Sequence, residues 1–112
     1  MLNSFTNAFN GIKDALKSEH NLRFHFLAAI IAMLLAYFLK FNHLEFSILV
    51  LTIFVVIILE FINTAIEKLS DIVHPEKSEG IRVIKDISAG VVLLGAIASV
   101  IIGLLLFLPK IF

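Results

Sequence analysis

Two glutamates, Glu60 and Glu67, sit within and just beyond an apolar stretch, seven residues apart. On a helix they point within about 20° of each other and lie about 10 Å apart along the axis. Asn63, Thr64 and Asp71 fall within about 60° of the same direction, so one helix carries a polar stripe that starts inside an apolar segment and runs out of it. An ionisable side chain inside a membrane costs roughly 2.5–3.5 kcal/mol on insertion scales, so an unexplained one is a functional candidate. For Glu67 and Asp71 a solvated helix end paired with Lys68 or Lys85 competes with function; for Glu60 with Asn63 that explanation is weaker. Glu19 with Arg23, and Lys85-Asp86, stand at the entries of two further apolar segments. Three carboxylates with lysines at one level suit a hard cation such as Mg²⁺, which takes one or two carboxylates and completes its shell with phosphate oxygens. A lysine adds a point charge for phosphate.

Other chemistries find less support. His20, His25, His43 and His74 lack a paired ligand spacing, so a zinc site is not expected. With no cysteine, neither a disulfide framework nor a thiolate metal site can form. No Gly-rich phosphate loop of the Walker type occurs, and Gly80 stands alone. Gly95, Ser99 and Gly103 form a row of small residues four apart, which reads as helix packing or contact between copies rather than a ligand site.

The elements that must hold these residues follow from hydropathy. The chain has 112 residues, 60% hydrophobic and 16% charged, with mean hydropathy +1.03. That composition is displaced towards membrane proteins and excludes disordered, collagenous and coiled-coil classes. Residues 87–108 are 22 positions without a charge, a helix of about 33 Å against a hydrocarbon core of about 30 Å; Pro109 is expected to end it. A second span covers 44–66, uncharged only over 46–59, which leaves Glu60 in the membrane or at its edge. A third covers 24–39, bracketed by Arg23 and Lys40, whose long side chains reach the interfaces. A soluble bundle would need polar faces on these segments, and 87–108 has none. The expected fold is therefore an all-α integral membrane protein, a single domain over 1–112 with three transmembrane helices.

Nine Lys+Arg balance nine Asp+Glu, which gives no bulk case for binding nucleic acid. The basic residues divide unequally. Lys13, Lys17 and Arg23 precede the first span, and Lys68, Lys77, Arg82 and Lys85 lie between the second and third. Lys40 and Lys110 alone lie on the other side. The bias places the N-terminus and the second loop in the cytoplasm and the C-terminus outside, in the cell membrane. The short link Lys40–Glu45 makes the first two spans antiparallel neighbours. Residues 1–26 lack the apolar core of a cleaved signal peptide. Instead Phe5, Ala8, Phe9, Ile12 and Leu16 oppose Asn10, Lys13, Asp14 and Lys17, the pattern of an amphipathic surface helix over about 4–18, with Ser4 as its cap.

The stretch Glu60-Phe-Ile-Asn63-Thr64-Ala-Ile-Glu67, with Lys85-Asp86 eighteen residues after Glu67, resembles the bacterial membrane diacylglycerol kinase family, which carries an E-x-x-N-[ST]-A-[IV]-E helix and a K-D entering its third span. Ser4-Phe5-x-Asn7-Ala8-x-x-Gly11-Ile12 and Glu19-x-Asn21-x-Arg23-x-His25 are similar to the family's surface helix and first entry. The resemblance implies a homotrimeric, ATP-dependent lipid kinase with sites shared between subunits. It implies Glu60 as the base on the lipid hydroxyl, and Glu19 and Glu67 as ligands of the Mg²⁺ that bridges ATP phosphates. Nucleotide contacts are implied at Glu19, Glu67, Glu76, Lys77, Ser78, Lys85 and Asp86, and lipid contacts at Arg23, Glu60, Asn63 and Ala89. The family's loop often reads P-E-Y-H where Pro75-Glu76-Lys77-Ser78 stands here. After K-D the proteobacterial branch has Gly-Ser-Ala-Ala; Ile87-Ser88-Ala89-Gly90 looks more like the branch that includes undecaprenol kinases, with a lipid groove expected at Ser88, Ala89 and Gly90.

Two rival classes make different demands. A small cation- or proton-coupled transporter needs an acid near mid-span and polar residues leading outward, whereas Ser47 and Thr52 are isolated and the acids gather on one side. A non-catalytic membrane adaptor would use the acids for assembly alone, and ATP-dependent phosphorylation of a lipid would eliminate it.

Overall fold

The computed structural model describes residues 2–112 as four helices: α1 Leu2–Ser18, α2 His20–Phe38, α3 His43–Val73 and α4 Glu79–Ile111. The last three are long and apolar enough to cross a membrane. All four helices exceed the expected bounds at one end or both, because helical hydrogen bonding continues past the apolar stretch that marks a span. Ser4 lies inside α1 and is not its cap. Pro109 lies inside α4 rather than ending it. A proline in the last turn removes only one backbone donor, and Phe112 N still donates to the Leu108 carbonyl beyond it.

Each connection is tight and chemically specified. Between α1 and α2 the chain breaks at Glu19 alone, which is extended (φ −114°, ψ 108°). After α2, Lys40 adopts φ 60°, Phe41 N donates to the Ala36 carbonyl and Lys40 N to the Tyr37 carbonyl, both at 3.1 Å. This is a Schellman closure, and Phe41 and Ala36 supply its apolar contact, both buried. Asn42 then starts α3 with a reciprocal capping box: its Oδ1 accepts from Glu45 N at 2.8 Å and its own N donates to Glu45 Oε1 at 2.9 Å. Lysine is a costly choice in the left-handed region, where a Cβ crowds the following carbonyl. Lys40→Gly is therefore expected to stabilise the fold by about 0.5–1 kcal/mol, read as a raised denaturation midpoint in detergent. A lowered midpoint would contradict that account of the turn.

The packing has two layers. At one end Ala36, Phe41, Leu49 and Leu106 form a buried cluster with Phe46, Ile102 and Phe107 against it, and Lys110 Nζ pairs with Glu45 Oε1 at 3.0 Å. At the other end Ala15, Leu22 and Ile57 are buried with Leu16, Phe26 and Phe61. Because the end of α2 meets the start of α3, and the start of α2 meets its middle, the two are antiparallel. The contact of Gly95 with Leu59 and the Ser88–Asn63 bond make α4 antiparallel to α3 as well. Gly95 is the close approach: a Cβ there would stand 2.6 Å from Leu59 Cδ1, whereas one at Gly103 would meet nothing within 4 Å. Most apolar surface stays outside these layers, with only 11%, 11% and 6% of the three apolar windows buried. The chain thus offers its spans to lipid or to other copies.

Candidate active site

Glu60 meets a partner that residue spacing does not reveal. Leu22 and Phe26 of α2 pack with Ile57 and Phe61 of α3. His25 and Glu60 lie within those two pairs, and His25 Nε2 stands 3.0 Å from Glu60 Oε1. The side chains are 30% and 14% exposed, so the carboxylate is the better shielded. The chemistry available is that of a carboxylate screened from bulk water, held at one oxygen and with no lysine or arginine pairing it among the described residues.

The rest of the polar stripe turns to α4. Asn63 Nδ2 donates to Glu67 Oε1 at 3.2 Å, and Ser88 Oγ donates to Asn63 Oδ1 at 2.7 Å. Both ends of the Asn63 amide are thereby used, and its carbonyl and amide sides are assigned. Ser88 is buried and its hydroxyl ties α4 to α3, at the edge of an apolar groove that it lines with Leu59, Ile62, Ile66, Ile87 and Val91. Thr64 is buried on the same helix. One turn beyond Glu67, Asp71 Oδ1 takes Lys85 Nζ at 2.5 Å. The stripe is therefore shared, Glu60 facing α2 and Asn63 and Asp71 facing α4.

Beyond the α3–α4 contact the chain opens into a cavity of about 580 Å³ lined by Asp71, His74 to Arg82 except Gly80, Lys85 and Asp86. This volume lies within the usual range for small-molecule sites. Glu76, Lys77, Ser78, Lys85 and Asp86 are thus gathered around one space; Glu19 and Glu67 are not among its lining residues. Ser78 caps α4, its Oγ accepting from Ile81 N at 3.2 Å, and His74 Nδ1 lies 2.7 Å from the Glu76 carbonyl. Arg82 clamps the wall, paired with Glu79 and, at 2.6 Å, with Asp86. Its spacing of three and four residues from those acids was the available sequence signal.

The remaining candidates lie apart. Arg23 and Ala89 are exposed on α2 and α4, and Glu19 is the half-exposed break before α2. No group of three or more histidine or acidic side chains is gathered to hold a metal among the described residues. The donor chemistry fits a hard divalent cation nevertheless. Five of the nine acids are paired with a basic group or His25, and Glu19, Glu67, Glu76 and Asp14 are the four without one among the described residues. One or two such carboxylates suffice for a cation that also takes phosphate oxygens.

Comparison with known proteins decides the class. The family described as prokaryotic diacylglycerol kinase matches residues 6–107. The chain belongs to that family. It is 36% identical to the undecaprenol kinase of Bacillus subtilis over 107 residues, 96% of this chain and 87% of that one. It is 37% identical over 110 residues to a diacylglycerol kinase of Synechocystis sp., covering 97% of this chain and 63% of the relative. A diacylglycerol kinase of Haemophilus influenzae is 30% identical over 108 residues. The chain is thus a membrane lipid kinase that uses ATP for phosphoryl transfer, and the transporter reading is not favoured.

Proposed function

We propose that this kinase transfers the γ-phosphate of ATP to the primary hydroxyl of undecaprenol at the cytoplasmic face of the cell membrane, with diacylglycerol as a poorer acceptor. The observation that carries the reading is Glu60, a 14% exposed carboxylate beside an uncharged apolar stretch, with the His25 imidazole nitrogen 3.0 Å from one of its oxygens. Such a group meets a hydroxyl at bilayer depth, where a site in bulk water could not. Glu60 takes the hydroxyl proton. Arg23, Asn63 and Ala89 line the approach of the lipid. Glu76, Lys77, Ser78, Lys85 and Asp86 hold the nucleotide in the loop cavity, Lys85 exchanging Asp71 for phosphate oxygens.

Glu19 and Glu67 are the residues that would hold Mg²⁺. The cation's contribution is neutralisation of phosphate charge, on which phosphoryl transfer chiefly depends. The family resemblance implies a homotrimer with sites completed between copies, and the apolar faces left open in one chain are available for its contacts. Residues 4–18 lie on the cytoplasmic membrane surface as an amphipathic helix, and residues 24–39, 44–66 and 87–108 span the membrane. Single cysteines at Asn3 and Glu79 should label only from the cytoplasmic side, and one at Lys110 only from outside. Outside labelling at position 79 would invert the arrangement and remove the loop cavity from its nucleotide.

The undecaprenol preference rests on the Bacillus subtilis relative's function and on the face of α4 at Ala89 and Gly90. A Cβ at Gly90 would meet nothing within 4 Å, so the space beside this face is open, and its small side chains let a long branched chain approach the helix closely. An apolar site separates near-isosteres by only about 1–3 kcal/mol, so both lipids should react. Competing undecaprenol with diacylglycerol at equal mole fraction in mixed micelles should give a higher kcat/KM for undecaprenol. A ratio favouring diacylglycerol would reject the preference while leaving a lipid kinase.

A further inference from the structure

We infer that His25 is a positioning residue for Glu60: its Nε2–H holds Glu60 Oε1 so that Oε2 is aimed at the acceptor hydroxyl. The inference rests on the reading of Glu60 as the base. The geometry begins with the 3.0 Å separation of His25 Nε2 and Glu60 Oε1. An ionised carboxylate can only accept, so the nitrogen facing it carries the proton. Glu60 has no lysine or arginine partner among the described residues, and a glutamate side chain with three rotatable bonds otherwise samples several rotamers. The backbone that carries the imidazole is held in place, since Leu22 and Phe26 on either side of it are packed against α3. One carboxylate oxygen thus meets a donor from a neighbouring helix, and the other remains for substrate.

During transfer the hydroxyl proton moves to Glu60 Oε2 as the lipid oxygen bonds to the γ-phosphorus. The bond from that phosphorus to the β–γ bridging oxygen breaks, and ADP keeps the electron pair. His25 retains its own proton throughout. An ammonium in its place would tie the carboxylate more strongly and lower its basicity, whereas an imidazole orients it and leaves it able to accept.

The test compares amides that differ in reach. His25→Gln places an N–H donor near the position of Nε2, and His25→Asn carries the same amide one carbon shorter. His25→Leu, a good helix former without a donor, is a third variant. All are measured in the full chain in detergent with Mg·ATP and undecaprenol. His25→Asn and His25→Leu are expected to lower kcat between about 10- and 100-fold, the effect of a misplaced reacting group, with KM for Mg·ATP unchanged. His25→Gln is expected to restore most of the loss. In a Glu60→Gln background His25→Asn should cost nothing further, because the two act as one unit. Wild-type kcat in His25→Asn or His25→Leu, or equal losses in Gln and Asn, would overturn the inference while a loss in Glu60→Gln alone left the base reading intact. Wild-type turnover in Glu60→Gln would remove the base reading and this inference with it.

Discussion

Glu60→Gln is expected to lower kcat by about 10²- to 10⁴-fold, the usual contribution of a general base, with KM for Mg·ATP nearly unchanged. The substitution is nearly isosteric, and the amide oxygen can still accept from His25 Nε2, so the 3.0 Å contact that joins α2 to α3 survives. What is lost is an acceptor for the hydroxyl proton. A group that acts only in the transition state affects kcat and kcat/KM together. Steady-state kinetics with each substrate varied separates this from a binding defect. A raised KM for ATP with kcat preserved would assign Glu60 to nucleotide binding instead.

Glu67→Gln should behave differently. Its Oε1 accepts from Asn63, which in turn accepts from Ser88, and a glutamine carbonyl can continue that chain. The α3–α4 contact is therefore kept while a negative charge without a basic partner among the described residues is removed. The expected result is an apparent Mg·ATP affinity weaker by about tenfold or more, by comparison with changes around other metal sites, and partial recovery of turnover at higher Mg²⁺. A kcat loss unresponsive to Mg²⁺ would remove Glu67 from the cation's ligands.

The contrast between these residues also shows what a single chain's residues can disclose. The three apolar helices were legible because hydrocarbon thickness fixes how long an uncharged run must be, and 87–108 and 46–59 announce themselves. The helix ends were less so. Glu67 to Val73 and Glu79 to Asp86 are helical but interrupted by charged residues, and hydropathy marks where lipid lies rather than where the backbone stops bonding. Ser4 and Pro109 carry local preferences that the surrounding helix overrides. Within the site, the Glu60–Glu67 stripe followed from 100° per residue, and Asp71 with Lys85 was already a plausible pair. The His25–Glu60 contact and the Ser88–Asn63 bond join residues on different helices. They depend on how Leu22 and Ile57, or Gly95 and Leu59, set the register between helices, and no spacing within one helix encodes that. Arg82 was visible as a charge, but its clamp on Asp86 needed the loop cavity to acquire meaning.

Single-turnover transfer addresses the central claim, that Glu60 serves as the base of a membrane-embedded lipid kinase, without contributions from product release. Wild-type and Glu60→Gln protein are loaded with γ-labelled Mg·ATP in detergent, mixed with undecaprenol and quenched over time, with nucleotide binding measured in parallel. The account predicts equal ATP affinity and a transfer rate onto the lipid slower by about 10²-fold or more in Glu60→Gln. Equal transfer rates in the two proteins would contradict it.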